Sequence, residues 1–155
     1  GNLWKESKGE DKHRRAIYTY LKRTSPYPSF ISFDAGSREI CLVRRLPSNT
    51  PLQALVTMND PVYTEAAFHL AKSNKAESIE SSIKKMYKSA VYKEIEPKIL
   101  DNLVNLYAIA KDEFEEDNLK LDNFFGLGNK IDIKLASLAV VANAIMNLDE
   151  FLTHG

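Results

Sequence analysis

Apolar residues recur along this chain at intervals of three and four, the spacing that gathers them on one side of an α-helix. Ile79, Ile83, Met86, Tyr87 and Ala90 make such a stripe in residues 76–90. Leu100, Leu103, Val104, Tyr107, Ala110 and Phe114 make a longer one in residues 97–117. Val62, Ala66 and Leu70 share a side of residues 61–72, and Ile17, Tyr20 and Leu21, with Tyr18 beside them, predict a helix over 11–24. From residue 133 to about 152 the pattern changes, because Leu135-Ala136-Ser137-Leu138-Ala139-Val140-Val141-Ala142 is apolar nearly all round. A helix of that kind has other helices around it. Leu135, Leu138, Ala142, Ile145 and Leu148 are therefore expected among the most buried side chains.

Capping residues and prolines divide these stripes. Thr50-Pro51 and Asp60-Pro61 each set a capping side chain before a proline at the first helical position, so residues 51–58 and 61–72 read as two successive helices. Asp132 caps the last helix, and Ser25-Pro26-Tyr27-Pro28 stops the first. Residues 29–48 hold no period and read as an ordered irregular segment with one short helical turn around 30–33. Residues 1–10 are polar and loose apart from Leu3 and Trp4. The acidic run 112–117 lies at the end of its helix that the dipole makes unfavourable for carboxylates, so fraying is expected there. A short turn around 122–125 ends at Gly126. No alternating strand pattern and no repeat is present. The expectation is an all-α single domain over residues 1–155, of about six or seven helices, with a central hydrophobic C-terminal helix and an irregular ordered segment near residues 25–50. A length of 155 residues, 44% of them hydrophobic and 27% charged, agrees with one globular unit.

Charge adds a second layer. Lys and Arg number 21, as do Asp and Glu, so the net charge is zero. Residues 1–50 nevertheless hold ten basic against five acidic side chains, and residues 51–155 eleven against sixteen. Such a +5 and −5 division favours internal pairing over binding of nucleic acid. Six arginines, Arg14, Arg15, Arg23, Arg38, Arg44 and Arg45, lie in the first 45 residues among Tyr18, Tyr20, Tyr27, Phe30 and Phe33. Two readings follow. Arg14, Arg15, Arg38, Arg44 and Arg45 tie the irregular segment to Asp34, Asp60, Asp149 and Glu150, since a guanidinium offers five donors to backbone and carboxylate acceptors. Alternatively they join Asn49 and Asn59 in holding an anionic or carbohydrate ligand, because guanidinium planes pair bidentately with phosphate, sulfate or carboxylate. The charge balance favours the first.

Reactive chemistry is not signalled. His13, His69, His154 and Cys41 stand at none of the spacings a metal site uses, so no metal is expected. The haem-attachment sequence C-x-x-C-H is absent, so no attached haem is expected, and no cofactor is expected in this segment. Gly126-Leu127-Gly128 lacks the strand before it and the third glycine of a dinucleotide loop. Asp149 and Glu150 are sequence neighbours that point about 100° apart on a helix, which makes no acid/base pair. One of them is expected to reach back to a buried arginine or a backbone donor. No apolar run reaches the roughly 18 residues of a membrane span. No catalytic residue is assigned, and the balance is against an enzyme.

Four landmarks run through the chain in order: Arg14-Arg15-Ala16-Ile17-Tyr18-Thr19-Tyr20-Leu21-Lys22-Arg23-Thr24; Phe33-Asp34-Ala35-Gly36-Ser37-Arg38-Glu39-Ile40-Cys41; Arg44-Arg45-Leu46-Pro47-Ser48-Asn49-Thr50-Pro51-Leu52-Gln53-Ala54-Leu55 closed by Asn59-Asp60-Pro61; and Asn147-Leu148-Asp149-Glu150-Phe151. Together they resemble the domain of unknown function at the C-terminus of the large planctomycete cytochrome c-type proteins. Leu21, Gly36 and Pro47 depart from the family pattern. The resemblance implies the C-terminal part of a larger exported protein of the periplasm or cell surface, with haem c in its upstream parts. It implies no known activity, and the function expected is that of a non-catalytic module whose partners are those upstream domains.

Overall fold

The computed structural model describes residues 7, 9, 11, 14–20, 22, 27–35, 48, 50–117 and 132–153. Among the described residues every regular element is a helix, as the spacing requires, and there is no strand. The chain divides into two units, Gly1–Arg44 and Arg45–Gly155, which are taken separately.

In the first unit the described residues of 11–24 hold no α-helix, and Ala16–Tyr18 form a 3-10 turn. Two side chains of the stripe expected there are largely exposed, Ile17 at 71% and Tyr20 at 73%. A segment this short is marginal in water without a packed face. The short turn expected near 30–33 is α1, Pro28–Ser32, where Pro28 opens the helix at the position a proline tolerates. Asp34 ends it in the left-handed region, φ 50°, and the Ala35 N–H returns to the Phe30 carbonyl at 2.8 Å.

The second unit opens with α2, Pro51–Asn59, and α3, Pro61–Ser73. Thr50 and Gln53 form a reciprocal capping box: the Gln53 N–H donates to Thr50 Oγ1 at 3.3 Å and the Thr50 N–H to Gln53 Oε1 at 2.9 Å. Asp60 joins the two helices, its N–H closing α2 on the Val56 carbonyl and its carboxylate accepting the Val62 N–H at 2.8 Å. The inward side of α3 is not the one its larger side chains suggested. Ala67 and Ala71 are buried, while Val62 and Ala66 are exposed and Leu70 is half-buried. Small residues on that side let α3 lie close against the last long helix.

Helix α4, Ile79–Val91, is capped by Ser78, whose Oγ accepts the Ser81 N–H. It buries Ile83, Met86, Tyr87 and Ala90 as its stripe requires. Helix α5, Pro97–Glu116, buries Leu103, Tyr107, Ala110 and Phe114. Its acidic end stays helical to Glu116 instead of fraying. Phe114 is buried there in a small cluster with Ala110 and Ala136, and Lys111 pairs with Glu115 at 3.2 Å, so packing outweighs a dipole effect of under about 1 kcal/mol.

Helix α6, Ile133–Met146, follows its Asp132 cap, and α7, Asp149–Leu152, comes after a break. One continuous helix to about residue 152 was expected. The break has a local cause: the Asn147 side chain donates to the Asn143 carbonyl at 3.0 Å, the acceptor its own backbone N–H would use, and that N–H moves to Ala144 at 3.1 Å. Within this unit α6 is central, packed by α2, α3, α4, α5 and α7. Leu138, Ala142 and Ile145 are buried; Leu135 and Leu148 are only partly so. No helix among the described residues is long and apolar enough to cross a membrane. Leu138→Ala should destabilise the protein by about 2–5 kcal/mol through lost core volume, read from urea unfolding midpoints. An unchanged midpoint would place α6 at the surface.

Candidate functional site

Among the described residues of the second unit, five polar side chains are buried: Gln53, Thr57, Ser82, Ser137 and Asn143. Three of them lie where α2 meets α6. The chain leaves α2 at Asp60, and the next residue is Pro61, which has no N–H to give to the Thr57 carbonyl four residues earlier. That carbonyl is taken by Asn143 Nδ2, from the middle of α6, at 3.2 Å. The Thr57 hydroxyl donates across the same seam to Asn147 Oδ1, with the Gln53 and Ala54 carbonyls as alternative acceptors. Asn147 Nδ2 in turn reaches Asn143 Oδ1 at 3.2 Å. At the other end of α2, Gln53 Nε2 donates to Ser48 Oγ at 2.8 Å. No buried side-chain nitrogen or oxygen among the described residues lacks a partner. Thr57 and Asn143 join α2 to α6, Gln53 and Ser82 bond at the starts of their own helices, and Ser137 donates to the Ile133 carbonyl of its own helix.

The second polar feature is at the C-terminal end. The phenol of Tyr87, in α4, donates to Glu150 of α7. Its pKa is pushed up to about 12, first by burial, then by the hydrogen bond to Glu150 and by the negative charges of Glu150 and Glu96. Burial likewise raises the phenol of Tyr107. Glu150 therefore meets a tyrosine, where an arginine or backbone donor was expected. Asp149 is exposed, and its carbonyl accepts the Thr153 N–H and hydroxyl, both at 2.8 Å.

The arginine candidates separate. Arg14 is exposed, and its Nε donates to Asp11 Oδ1 at 2.6 Å, a pair between two side chains each about 60% exposed, at 62% and 60%. Arg15 is exposed as well. Arg38, Arg44, Arg45 and Asn49 lie outside the described residues, as do His13, Cys41, the glycine pair at 126 and 128, and His154. Asn59 is exposed and caps its own helix, donating to the Leu55 carbonyl at 2.8 Å. Asp34 stands in a left-handed turn, and the Asp60 carboxylate caps α3.

The model of the family named PSD1, a protein of unknown function (DUF1553), matches residues 1–107. The chain belongs to that family. No curated protein and no solved structure matches it. Three of the four sequence landmarks fall within the PSD1 match, and Asn147-Leu148-Asp149-Glu150-Phe151 lies beyond it. The structure nevertheless joins the two regions of this PSD1 chain, since Asn147 bonds Thr57 and Glu150 bonds Tyr87.

Reasoning from the sequence passed over Gln53, Thr57, Tyr87 and Asn143. The Thr50-x-x-Gln53 spacing was a visible capping-box signal. Asn143, a lone amide in an otherwise apolar helix, was a signal of a specific buried partner.

Two outcomes follow. Asn143→Ala should cost about 1–3 kcal/mol, because the Thr57 carbonyl is left buried without a donor; chemical unfolding measures it. For Tyr87 the folded pKa lies above the ordinary 10, so its contribution to stability is complete below pH 10 and is lost as pH rises through about 12. Wild-type stability should therefore fall more steeply than that of Tyr87→Phe between those limits. Parallel slopes would remove the assignment.

Proposed function

We propose that this PSD1 chain is a non-catalytic helical module that packs against upstream domains of a larger exported polypeptide. The observation that carries the reading is the use made of the polar residues in its densest landmark. Thr50, Gln53, Thr57, Asn59 and Asp60 each bond within the fold, as caps or as links to Ser48 and α6. Side chains used in this way hold helices in register and are not available to a substrate. The resemblance of the four landmarks supports a parent that is exported to the periplasm or cell surface and carries haem c upstream of this segment.

A second reading has one observation in its favour. Arg14 and Arg15 are exposed beside Ile17, Tyr18 and Tyr20, which are 71%, 70% and 73% exposed, an arrangement suited to stacking and bidentate contact with an anionic carbohydrate.

Removing residues 1–155 from the parent reading frame should lower the thermal midpoint of the remaining domains. Titration of the isolated chain with a sulfated glycan should give no saturable binding. Saturable binding that is lost in Arg14→Ala/Arg15→Ala, with an unchanged midpoint on removal, would select the second reading.

A further inference from the structure

Helix α7 is four residues long, Asp149–Leu152, and buries none of them. A helix of one turn has no stability of its own in water, so its place is set by what it touches. Leu148 and Phe151 pack partly buried on the core, and the exposed Glu150 accepts the hydroxyl of Tyr87, a side chain only 2% exposed. Burial and the facing charges of Glu150 and of Glu96, at the start of α5, push that phenol up to about 12, so it stays a donor up to that pH. If α7 lifted away, water would replace the carboxylate as the acceptor, and opening would orphan no donor.

Helix α2 is seated through polar contacts. The residues it buries are Gln53 and Thr57, while Leu52, Leu55 and Met58 face outward at 56%, 57% and 51% exposure. Its place on α6 therefore depends on the Asn143 donation to the Thr57 carbonyl and on the Thr57 hydroxyl donating to Asn147. Asn147 stands directly before Leu148, whose extended backbone, φ −67° and ψ 145°, turns the chain into α7. Its amide grips α2 through Oδ1 and α6 through Nδ2, while its main chain carries α7. Those bonds last only while the backbone that bears the amide stays in place.

We propose that residues 148–153 form a strap that is latched by Glu150 on Tyr87, opens about Asn147 as one unit, and is coupled through the Asn147 amide to the seating of α2. The coupling has a physical carrier, since one side chain belongs to both contacts. It is also reciprocal: whatever loosens α2 favours the open strap, and whatever opens the strap loosens α2 to the same degree. Helices α4, α5 and α6 bury their stripes against one another and need not part when the strap opens.

Amide hydrogen exchange in the 155-residue chain tests this. The N–H groups of Phe151, Leu152 and Thr153 bond to the Leu148 and Asp149 carbonyls and report the strap, and that of Asp60, bonded to Val56, reports the end of α2. Glu150→Ala should speed exchange at 151–153 about tenfold, speed it at Asp60 as well, and leave the middle of α6 unchanged. Glu150→Gln, which keeps an acceptor for the phenol, should stay close to wild type. Thr57→Val should speed both reporters, whereas Ser137→Ala, which removes a buried hydroxyl near the other end of α6, should speed neither. Unchanged exchange at 151–153 in Glu150→Ala would overturn the latch, and uniform acceleration through α4, α5 and α6 would overturn the strap as a separate unit. Thr57→Val acting on α2 alone, or Ser137→Ala acting on the strap, would overturn the coupling. Glu150 is exposed, so its truncation takes nothing from the core, and an unmoved Asp60 in Glu150→Ala overturns the coupling even if Thr57→Val fails to fold.

Discussion

Helix α6 has no polar side to give to water. Nine of its fourteen residues, Ala136, Ser137, Leu138, Ala139, Val141, Ala142, Asn143, Ile145 and Met146, are buried. Such a helix exists in water only when it is enclosed, and enclosing it sets the arrangement of the second unit. Alanines on α3 allow a close approach, aromatic and aliphatic residues of α4 and α5 fill the wider spaces, and α2 covers the remaining side. The strongly apolar sides of α4 and α5 have a surface to bury only because α6 offers one.

Asn143 of α6 and Asn147, just past its end, fix what hydrophobic enclosure leaves free. Apolar contact is non-directional, so it permits α2 to roll or slide along α6 at little cost. A buried amide does not, because losing its partner carries a desolvation penalty of about 1–3 kcal/mol. Pro61 leaves an acceptor at Thr57, Asn143 supplies the donor, and Thr57 pairs with Asn147 on the next turn. This small set of bonds gives α2 one orientation and, as a consequence, sets its leucines facing outward. At the far end of the same helix, Asn147 also stops α6, which turns the chain into α7 and brings Glu150 to Tyr87.

The first unit obeys a different balance. Its described residues carry a 3-10 turn and the five-residue α1, and Ile17, Tyr18, Tyr20 and Ile31 are all more than 60% exposed, at 71%, 70%, 73% and 63%. Arg14 meets Asp11 in an exposed pair of the kind that contributes under about 1 kcal/mol. Among the described residues, helical spacing alone was not enough to form the α-helix it suggested.

The class of the fold, the positions of α2 to α5 and the burial of α6 were legible in the sequence, because spacing, proline and capping chemistry act within a few residues of one another. Thr50, Asp60, Ser78 and Asp132 cap where their side chains and neighbours require. What could not be read locally was any choice made by a partner distant along the chain. Which side of α3 turns inward was decided by how closely α6 approaches, and small alanines won over larger residues. The roles of Thr57, Asn143 and Asn147 in joining α2 to α6 depend on groups 86 and 90 residues apart, and Tyr87 meets Glu150 across 63. A hydrogen bond is decided by distance and direction in space, and only the packed helices supply those.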